Sequence, residues 1–427
     1  MELRFGPALS PPRGEITPPA DKSLTHRALI FGALANSTSE IHNPLTGEDC
    51  RATRRILEMV GMRVEESGDV WRVQPATWTT PTEPVDCGNS GTTMRLLMGV
   101  FASRPMSVEF VGDASLSRRP MGRIGLPLKM MGAKVEGEKA PVRLTGGTLR
   151  GIDYLSPVAS AQIKSAILLA GVRAEGETSV DEPEQSRDHT ERLMEALGVP
   201  LTRCRNQISV QRAEWGGFEF RVPGDISSAA FALCLVAGSP GAQAVLRGVS
   251  VNPTRSGLLD VLAHMGASVT RENERAELGE PLADLVVSGP PGLKPFVIEG
   301  ELVPRLIDEI PVLSVLATQA HGTSVVRGAA ELRVKESDRI AQMAKGLRAM
   351  GASVDEFPDG MAIHGPVALR GATIDAHGDH RLAMSFAIAG LLSATGDTTI
   401  RGADSIATSY PGFVDDLRTL GVTWSEA

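Results

Sequence analysis

A short segment recurs six times along the chain, and that repetition limits the fold more than any other feature. The copies are LEMVGMRV from residue 57, LKMMGAKV from 128, MEALGVPL from 194, LAHMGASV from 262, LRAMGASV from 347 and LRTLGVTW from 417. Each reads as the last turn of a helix, a glycine in the left-handed stop position, and then a strand. The glycines are Gly61, Gly132, Gly198, Gly266, Gly351 and Gly421, separated by 71, 66, 68, 85 and 70 residues. Solenoid repeats are shorter, so each copy marks a small subdomain.

A second element keeps the same rhythm: a polar cluster followed by a helix that is apolar nearly all round. DKSLTHRALIFGALA, GNSGTTMRLLMGVFA, SAQIKSAILLAG, GDISSAAFALCLVAG, DEIPVLSVLATQAHG and GDHRLAMSFAIAGLL are the six copies. Such helices belong in an interior. Strand-like runs such as VWRVQP, MSVEFVG, APVRLTGG, FEFRVPG, TSVVRG and TTIRGAD lie between the helices. The unit is therefore α/β, with two helices and several strands. Six of them exceed what one core holds, so two domains of three units are expected. AGSPGAQ (237–243) is the best linker, and SPPRGEITPP (10–19) is a second candidate. The expected domains are residues 18–238, and residues 1–17 together with 239–427. The first strand then belongs with the C-terminal half, and the chain crosses between domains twice.

A net charge of −8 argues against a general nucleic-acid binder, so an anionic ligand would need a local basic pocket. The N-terminus lacks the apolar core of a signal peptide, and no apolar run approaches a membrane span. Four scattered cysteines without a C-x-x-C pair point to a reduced, cytoplasmic protein. His377 and His380 in HGDHR have no partner pair at zinc-site spacing, so no metal is expected.

The starts of the apolar helices are unusual. Lys22 and Ser23, Asn89 and Gly91, Ser160 and Gln162, Asp308 and Glu309, and His380 and Arg381 gather there. The second helices open with Arg118 and Arg119, Arg187, Arg255, and Lys335 with Arg339. A helix start carries partial positive charge and free N–H groups, so cations worsen an empty site and improve one that holds an anion. A single such residue is ordinarily a solvated surface cation, and Asp, Ser or Asn there is ordinarily a cap. Recurrence at corresponding places on interior helices favours a multiply anionic ligand carrying phosphates and carboxylates. GNSGTTMR lacks the Lys of a P-loop. Gly91 is either a tight turn or a point of close backbone approach to ligand.

DKSLTHR, GNSGTTMR, RRPMGR, SAQIKSA, RVKESDR and GDHR resemble, in order, the signatures of the 5-enolpyruvylshikimate-3-phosphate synthase family, over essentially the whole chain. SAQIK, RDHTE and NPTR are similar to its class II branch, and the family is the target of the herbicide glyphosate. The resemblance implies the enolpyruvyl transferase fold, an inside-out α/β barrel arrangement of two domains with three βαβαββ-type repeats each, and an active site in the interdomain cleft. It implies transfer of the enolpyruvyl group of phosphoenolpyruvate to the 5-hydroxyl of shikimate 3-phosphate by addition and elimination, without metal or organic cofactor, in a cytoplasmic monomer.

Carried over by motif, shikimate 3-phosphate should meet Lys22, Ser23, Arg27, Ser160, Gln162, Arg187, Asp308 and Lys335. Phosphoenolpyruvate should meet Lys22, Gly91, Arg119, Gln162, Arg339 and Arg381. The resemblance makes Asp308 the base for the hydroxyl, with Glu309 as fallback, and gives Glu336 and Lys22 the proton at C3. His26 and His380 are read as structural. Thr408 in IATSYPG stands where many relatives carry Lys, and Ala161 where some carry Ser. Two alternatives remain: an enolpyruvyl transferase acting on UDP-N-acetylglucosamine, and a non-catalytic anion-binding protein. The first usually has a reactive Cys in a loop of the second unit, which GDASLSRRPMGRIG lacks.

Overall fold

A computed structural model describes residues 1–423. The second repeat shows the building pattern. Strand Val85–Asp86 leads into helix Gly91–Ala102, strand Ser107–Val111, helix Gly122–Met131, and the strands Lys134–Glu136 and Val142–Thr145. In the sheet the order is first, second, fourth, third; the first two strands are parallel and the other pairs antiparallel. The third repeat, from Asp153 to Val210, and the fifth, from Val297 to Gly365, have the same order.

The other three repeats take a strand from elsewhere in the chain. In the first, Ser39–His42 pairs in parallel with Glu219–Arg221, from the far end of that half. In the fourth, Gln243–Ser250 pairs in parallel with Arg13–Ile16. In the sixth, Thr398–Arg401 lies between Thr373–Asp375 and the antiparallel N-terminal strand Glu2–Phe5, giving three strands. The strand expected after Gly421 is not formed at Val422 and Thr423, and Trp424 lies outside the described residues.

All six stop glycines adopt positive φ: 103° at Gly61, 113° at Gly132, 77° at Gly198, 99° at Gly266, 95° at Gly351 and 68° at Gly421. The polar-then-apolar segments are the inner helices Lys22–Leu34, Gly91–Ala102, Ala161–Gly171, Ile226–Ala237, Ile310–Ala317 and His380–Leu391. Every residue of Ile226–Ala237 is buried, as its uniformly apolar surface requires. Gly99 lets two of these helices touch, since a Cβ there would overlap the backbone of Ala166. The outer helices are one-sided: Glu48–Met59 buries Cys50, Ala52, Thr53, Ile56 and Leu57 and leaves Arg55 and Glu58 exposed.

The chain forms two compact units. One comprises Ala20–Pro223 with Ala276–Glu280; the other comprises Met1–Pro19, Gly224–Arg275 and the chain from Pro281 onward. We call them the inserted and the enclosing unit. Each has its own core, drawn from three inner helices and the faces of three sheets. The division differs from the expected 238/239. The residues of Ile226–Ala237 belong to the enclosing core, and AGSPGAQ is a turn between that helix and strand Gln243–Ser250, with Gly241 at φ 75°. The breaks fall instead after Pro19 and Pro223, just before Asp21 and Asp225, which cap the first inner helix of their respective units. Residues 276–280, the tip of the hairpin between Ser268–Glu277 and Glu280–Ser288, group with the inserted unit, although they fall within the range expected for the other domain.

Candidate active site

In the inserted unit, three inner helix starts carry the candidate residues. Asp21 caps Lys22–Leu34 by accepting from the Leu24 N–H at 2.9 Å. The Lys22 ammonium lies 2.9 Å from Asp49 Oδ2, and Ser23 is half-buried beside it. One turn on, Arg27 is buried. Its Nε donates to Thr190 Oγ1 at 2.7 Å, and its terminal nitrogens donate to the Ser23 carbonyl at 3.0 Å and Ser165 Oγ at 2.8 Å. Burial lowers its pKa to about 10; Glu191 and Asp21 oppose that from farther away, and the nearby Arg187 cation reinforces it. His26 donates to or accepts from Thr53 Oγ1 at 2.7 Å. Burial, then Lys22 and Arg27, push its pKa well below the ordinary 6.5, so it is neutral at pH 7.

The second helix start gathers two guanidinium groups. Ser90 caps Gly91–Ala102 through the Thr93 N–H, leaving Gly91 as the first helical residue. A Cβ on Gly91 would stand 2.9 Å from an Arg95 Nη1 and 3.3 Å from an Arg119 Nη1, so both cations reach one point at a helix N-terminus. Arg119 donates to Asn89 Oδ1 and to Ser115 Oγ, and Arg95 donates to Gln162 Oε1 at 2.6 Å. Gln162 in turn donates to Thr92 Oγ1 at 2.9 Å, which ties the third helix start to the second. Here the space beside Gly91 is filled by arginine ends, a different neighbour from the ligand expected at that position.

At the third start, Ser160 precedes Ala161–Gly171 with no side-chain cap bond. Its backbone N–H donates to Glu182 Oε1 at 2.9 Å. Lys164 lies one turn into the helix, buried, with its ammonium 2.7 Å from both Glu182 Oε2 and Glu191 Oε1. Burial works to lower its pKa, but Glu191 and Glu182 outweigh that and raise it. Arg187 is half-buried in the loop that leads to helix His189–Ala196.

In the enclosing unit the candidates surround one carboxylate. Asp308 precedes helix Ile310–Ala317 and is 9% exposed. Its Oδ1 lies 3.2 Å from Arg339, 3.7 Å from Lys335 and 3.8 Å from Arg381, and its Oδ2 lies 4.0 Å from Arg255. Four cations therefore converge on this one carboxylate. Glu309 turns the other way, fully buried against Ser227 Oγ, so the chain's register places Asp308 rather than Glu309 among the cations. Arg339 is buried and meets three carboxylates: Asp379 at 2.8 Å, Glu336 at 2.6 Å and Asp308 at 3.2 Å. Burial works against its charge, but Asp379, Glu336 and Asp308 together raise its pKa. Asp379 also caps helix His380–Leu391 through the Arg381 N–H. Arg381 donates to the Asp308 carbonyl at 3.2 Å, and Arg255 donates to Asp225 at 2.9 Å.

Thr408 is half-buried at the end of the short helix Ala403–Thr408. His377 faces Asp375 and His380 is buried. Among the described residues no group of three His, Cys, Asp or Glu side chains is placed to hold a metal ion.

Arg95, Lys164, Glu182 and Glu191 are the residues that sequence reasoning passed over. The available signal was a cation inside an otherwise apolar inner helix, at TTMRLL and QIKSAIL. A charge there must find partners in other segments.

Comparison with known proteins shows the family. The sequence model of the family described as EPSP synthase (3-phosphoshikimate 1-carboxyvinyltransferase) matches residues 8–417. The 3-phosphoshikimate 1-carboxyvinyltransferase of Desulfitobacterium hafniense is 48% identical over 411 residues, covering 94% of both chains. That of Brevibacillus brevis is 47% identical over 413 residues, covering 95% of this chain and 96% of its own. The solved EPSP synthase of Acinetobacter baumannii superposes with a TM-score of 0.88 at 43% identity, covering 99% of each chain. The enolpyruvyl transferase NikO of Streptomyces tendae, at 17% identity and a TM-score of 0.80 over 100% of this chain and 99% of its own, shares the fold.

Proposed function

We propose a function from one premise: the chain belongs to the EPSP synthase (3-phosphoshikimate 1-carboxyvinyltransferase) family. It transfers the enolpyruvyl group of phosphoenolpyruvate to shikimate 3-phosphate in the shikimate pathway, the route to aromatic amino acids. The observation that best supports the reading at the level of residues is the meeting of Arg95 and Arg119 beside the helix start at Gly91. Two guanidinium groups and free backbone N–H groups at one point form a receptor for a small dianion.

In the proposed mechanism, Asp308 accepts the proton of the shikimate 5-hydroxyl as its oxygen adds to C2 of phosphoenolpyruvate. C3 receives a proton from the pair Glu336 and Lys22. The tetrahedral intermediate then loses phosphate, which leaves with the proton taken up by Asp308, as a C3 proton returns to that pair. General acid–base transfer of this kind contributes about 10²–10⁴ in rate. Fixed positive charge around the phosphates and the carboxylate supplies the electrostatic part.

Lys22, Ser23, Arg27, Ser160, Gln162 and Arg187 from the inserted unit, with Asp308 and Lys335 from the enclosing one, are the proposed contacts to shikimate 3-phosphate. Lys22, Gly91, Arg119, Gln162, Arg339 and Arg381 are the proposed contacts to phosphoenolpyruvate, and Arg95 joins them by its place beside Gly91. Arg339 contributes chiefly by holding Glu336 and Asp308, since its nitrogens already face carboxylates. The enzyme is proposed to work as a cytoplasmic monomer; no described helix is long and apolar enough to cross a membrane.

The test is phosphate release from phosphoenolpyruvate with two acceptors offered separately. Release with shikimate 3-phosphate and none with UDP-N-acetylglucosamine is the expected result. The opposite pattern, or no release with either acceptor, would refute the proposal.

A further inference from the structure

We propose that Glu182 is a positioning residue for the acceptor substrate, fixing Ser160 and Arg187 at their working separation. The inference rests on the shikimate 3-phosphate reading above. Glu182 is 3% exposed and touches two segments at once. Its Oε1 accepts from the Ser160 N–H at 2.9 Å, at the start of the helix that carries Gln162. Its two oxygens accept from Ser186 Oγ at 2.7 and 2.8 Å, and Oε2 accepts from the Ser186 N–H at 3.3 Å, one residue before Arg187. Lys164 closes the arrangement from below. Its ammonium lies 2.7 Å from Glu182 and 2.7 Å from Glu191, and it donates to the Ser186 carbonyl at 3.3 Å.

A buried lysine between two buried glutamates is a poor device for stability alone, because apolar packing of similar volume does as well or better. What the group achieves is geometric. A carboxylate with two bonded oxygens, held by a fixed ammonium, joins a helix start to a loop that sequence alone leaves free to move. Thr190, two residues beyond Asp188 in the same segment, receives the Arg27 Nε–H, so three proposed acceptor contacts depend on where this segment lies. At 3% exposure Glu182 is shielded by its protein partners, so it acts through Ser160 and Arg187.

The test compares Michaelis constants for the two substrates in the whole enzyme. Glu182→Gln keeps the shape but turns an N–H₂ group either toward Lys164 and the Ser186 N–H or toward the Ser160 N–H. It should raise KM for shikimate 3-phosphate by about tenfold or more, the loss expected for a charge-assisted hydrogen bond, while KM for phosphoenolpyruvate stays within about threefold. Ser186→Ala removes one hydroxyl and no charge, so it should fold, and it should shift the same constant in the same direction by about threefold. Equal shifts in both constants, or none in either, for Ser186→Ala would overturn the proposal even if Glu182→Gln failed to fold. Wild-type enzyme inert toward shikimate 3-phosphate would bring down the functional reading first, and that failure is visible without any variant.

Discussion

Two buried arginines, one in each unit, have opposite surroundings. Arg27 in the inserted unit donates to two hydroxyls and a carbonyl, and its pKa is lowered to about 10. Arg339 in the enclosing unit meets three carboxylates, and its pKa is raised. A guanidinium on neutral oxygens keeps its charge available to a ligand, whereas one ringed by carboxylates has been neutralised by the protein itself. In the proposed site Arg27 would attract an anion, while Arg339 holds Asp308, Glu336 and Asp379 in place.

That contrast can be broken most directly at Arg339. Arg339→Met should leave Asp308, Glu336 and Asp379 facing one another and cost about 3–5 kcal/mol of stability, measured by denaturant unfolding. A variant as stable as wild type would remove the idea of a neutralising clamp. Asp308→Asn should fold normally and lose about 10²–10⁴ in kcat, read from phosphate release, because it keeps the shape and lacks the base. Near-normal kcat would return attention to Glu309.

The inserted unit should respond in affinity. Arg27→Met should weaken shikimate 3-phosphate by about 1.5–3 kcal/mol in calorimetric titration while unfolding little earlier than wild type, since a costly buried cation has also been removed. A large loss of stability without a loss of affinity would reverse the comparison. Acid should also separate the units. Folded His26 resists protonation, so the unfolded chain binds more protons once the pH falls below 6.5, and the inserted unit loses stability from there downward. Asp225 and Asp379 in the enclosing unit have lowered pKa values, so their contribution is whole above about 3.8 and is lost as pH falls from there through those depressed values. His26→Gln should flatten the first of these slopes in unfolding curves taken from pH 7 to 5. The smallest effect belongs to Gly91→Ala. Its methyl meets the movable ends of Arg95 and Arg119, so KM for phosphoenolpyruvate should rise by several-fold with stability within about 0.5 kcal/mol of wild type.

Local signals carried much of this into the sequence. A glycine stop followed by a strand needs only near neighbours, and all six are readable from the sequence as left-handed positions. The inner helices were readable for the same reason, because apolarity on every face is written within a dozen residues. The unit boundary was not, since a Gly/Pro-rich run serves equally as a linker or as a turn inside a unit, and AGSPGAQ is the latter. Lys164 and Arg95 were hidden because their partners come from other segments, Glu182 and Glu191 for one and Gln162 for the other. Which of Asp308 and Glu309 faces the cations depended on one residue of register, which spacing could not fix.

The N-terminal strand has a consequence for biosynthesis. Glu2 pairs with Arg401 and Phe5 with Thr398, so during synthesis this strand waits for a partner made nearly 400 residues later. At about 5–20 residues per second the wait is roughly 20–80 s, during which the inserted unit has a head start in assembling. The waiting strand must stay harmless for that interval. Leu3 and Phe5 alternate with Glu2, Arg4 and Gly6 there, a spacing that dilutes the stickiness of an edge left waiting.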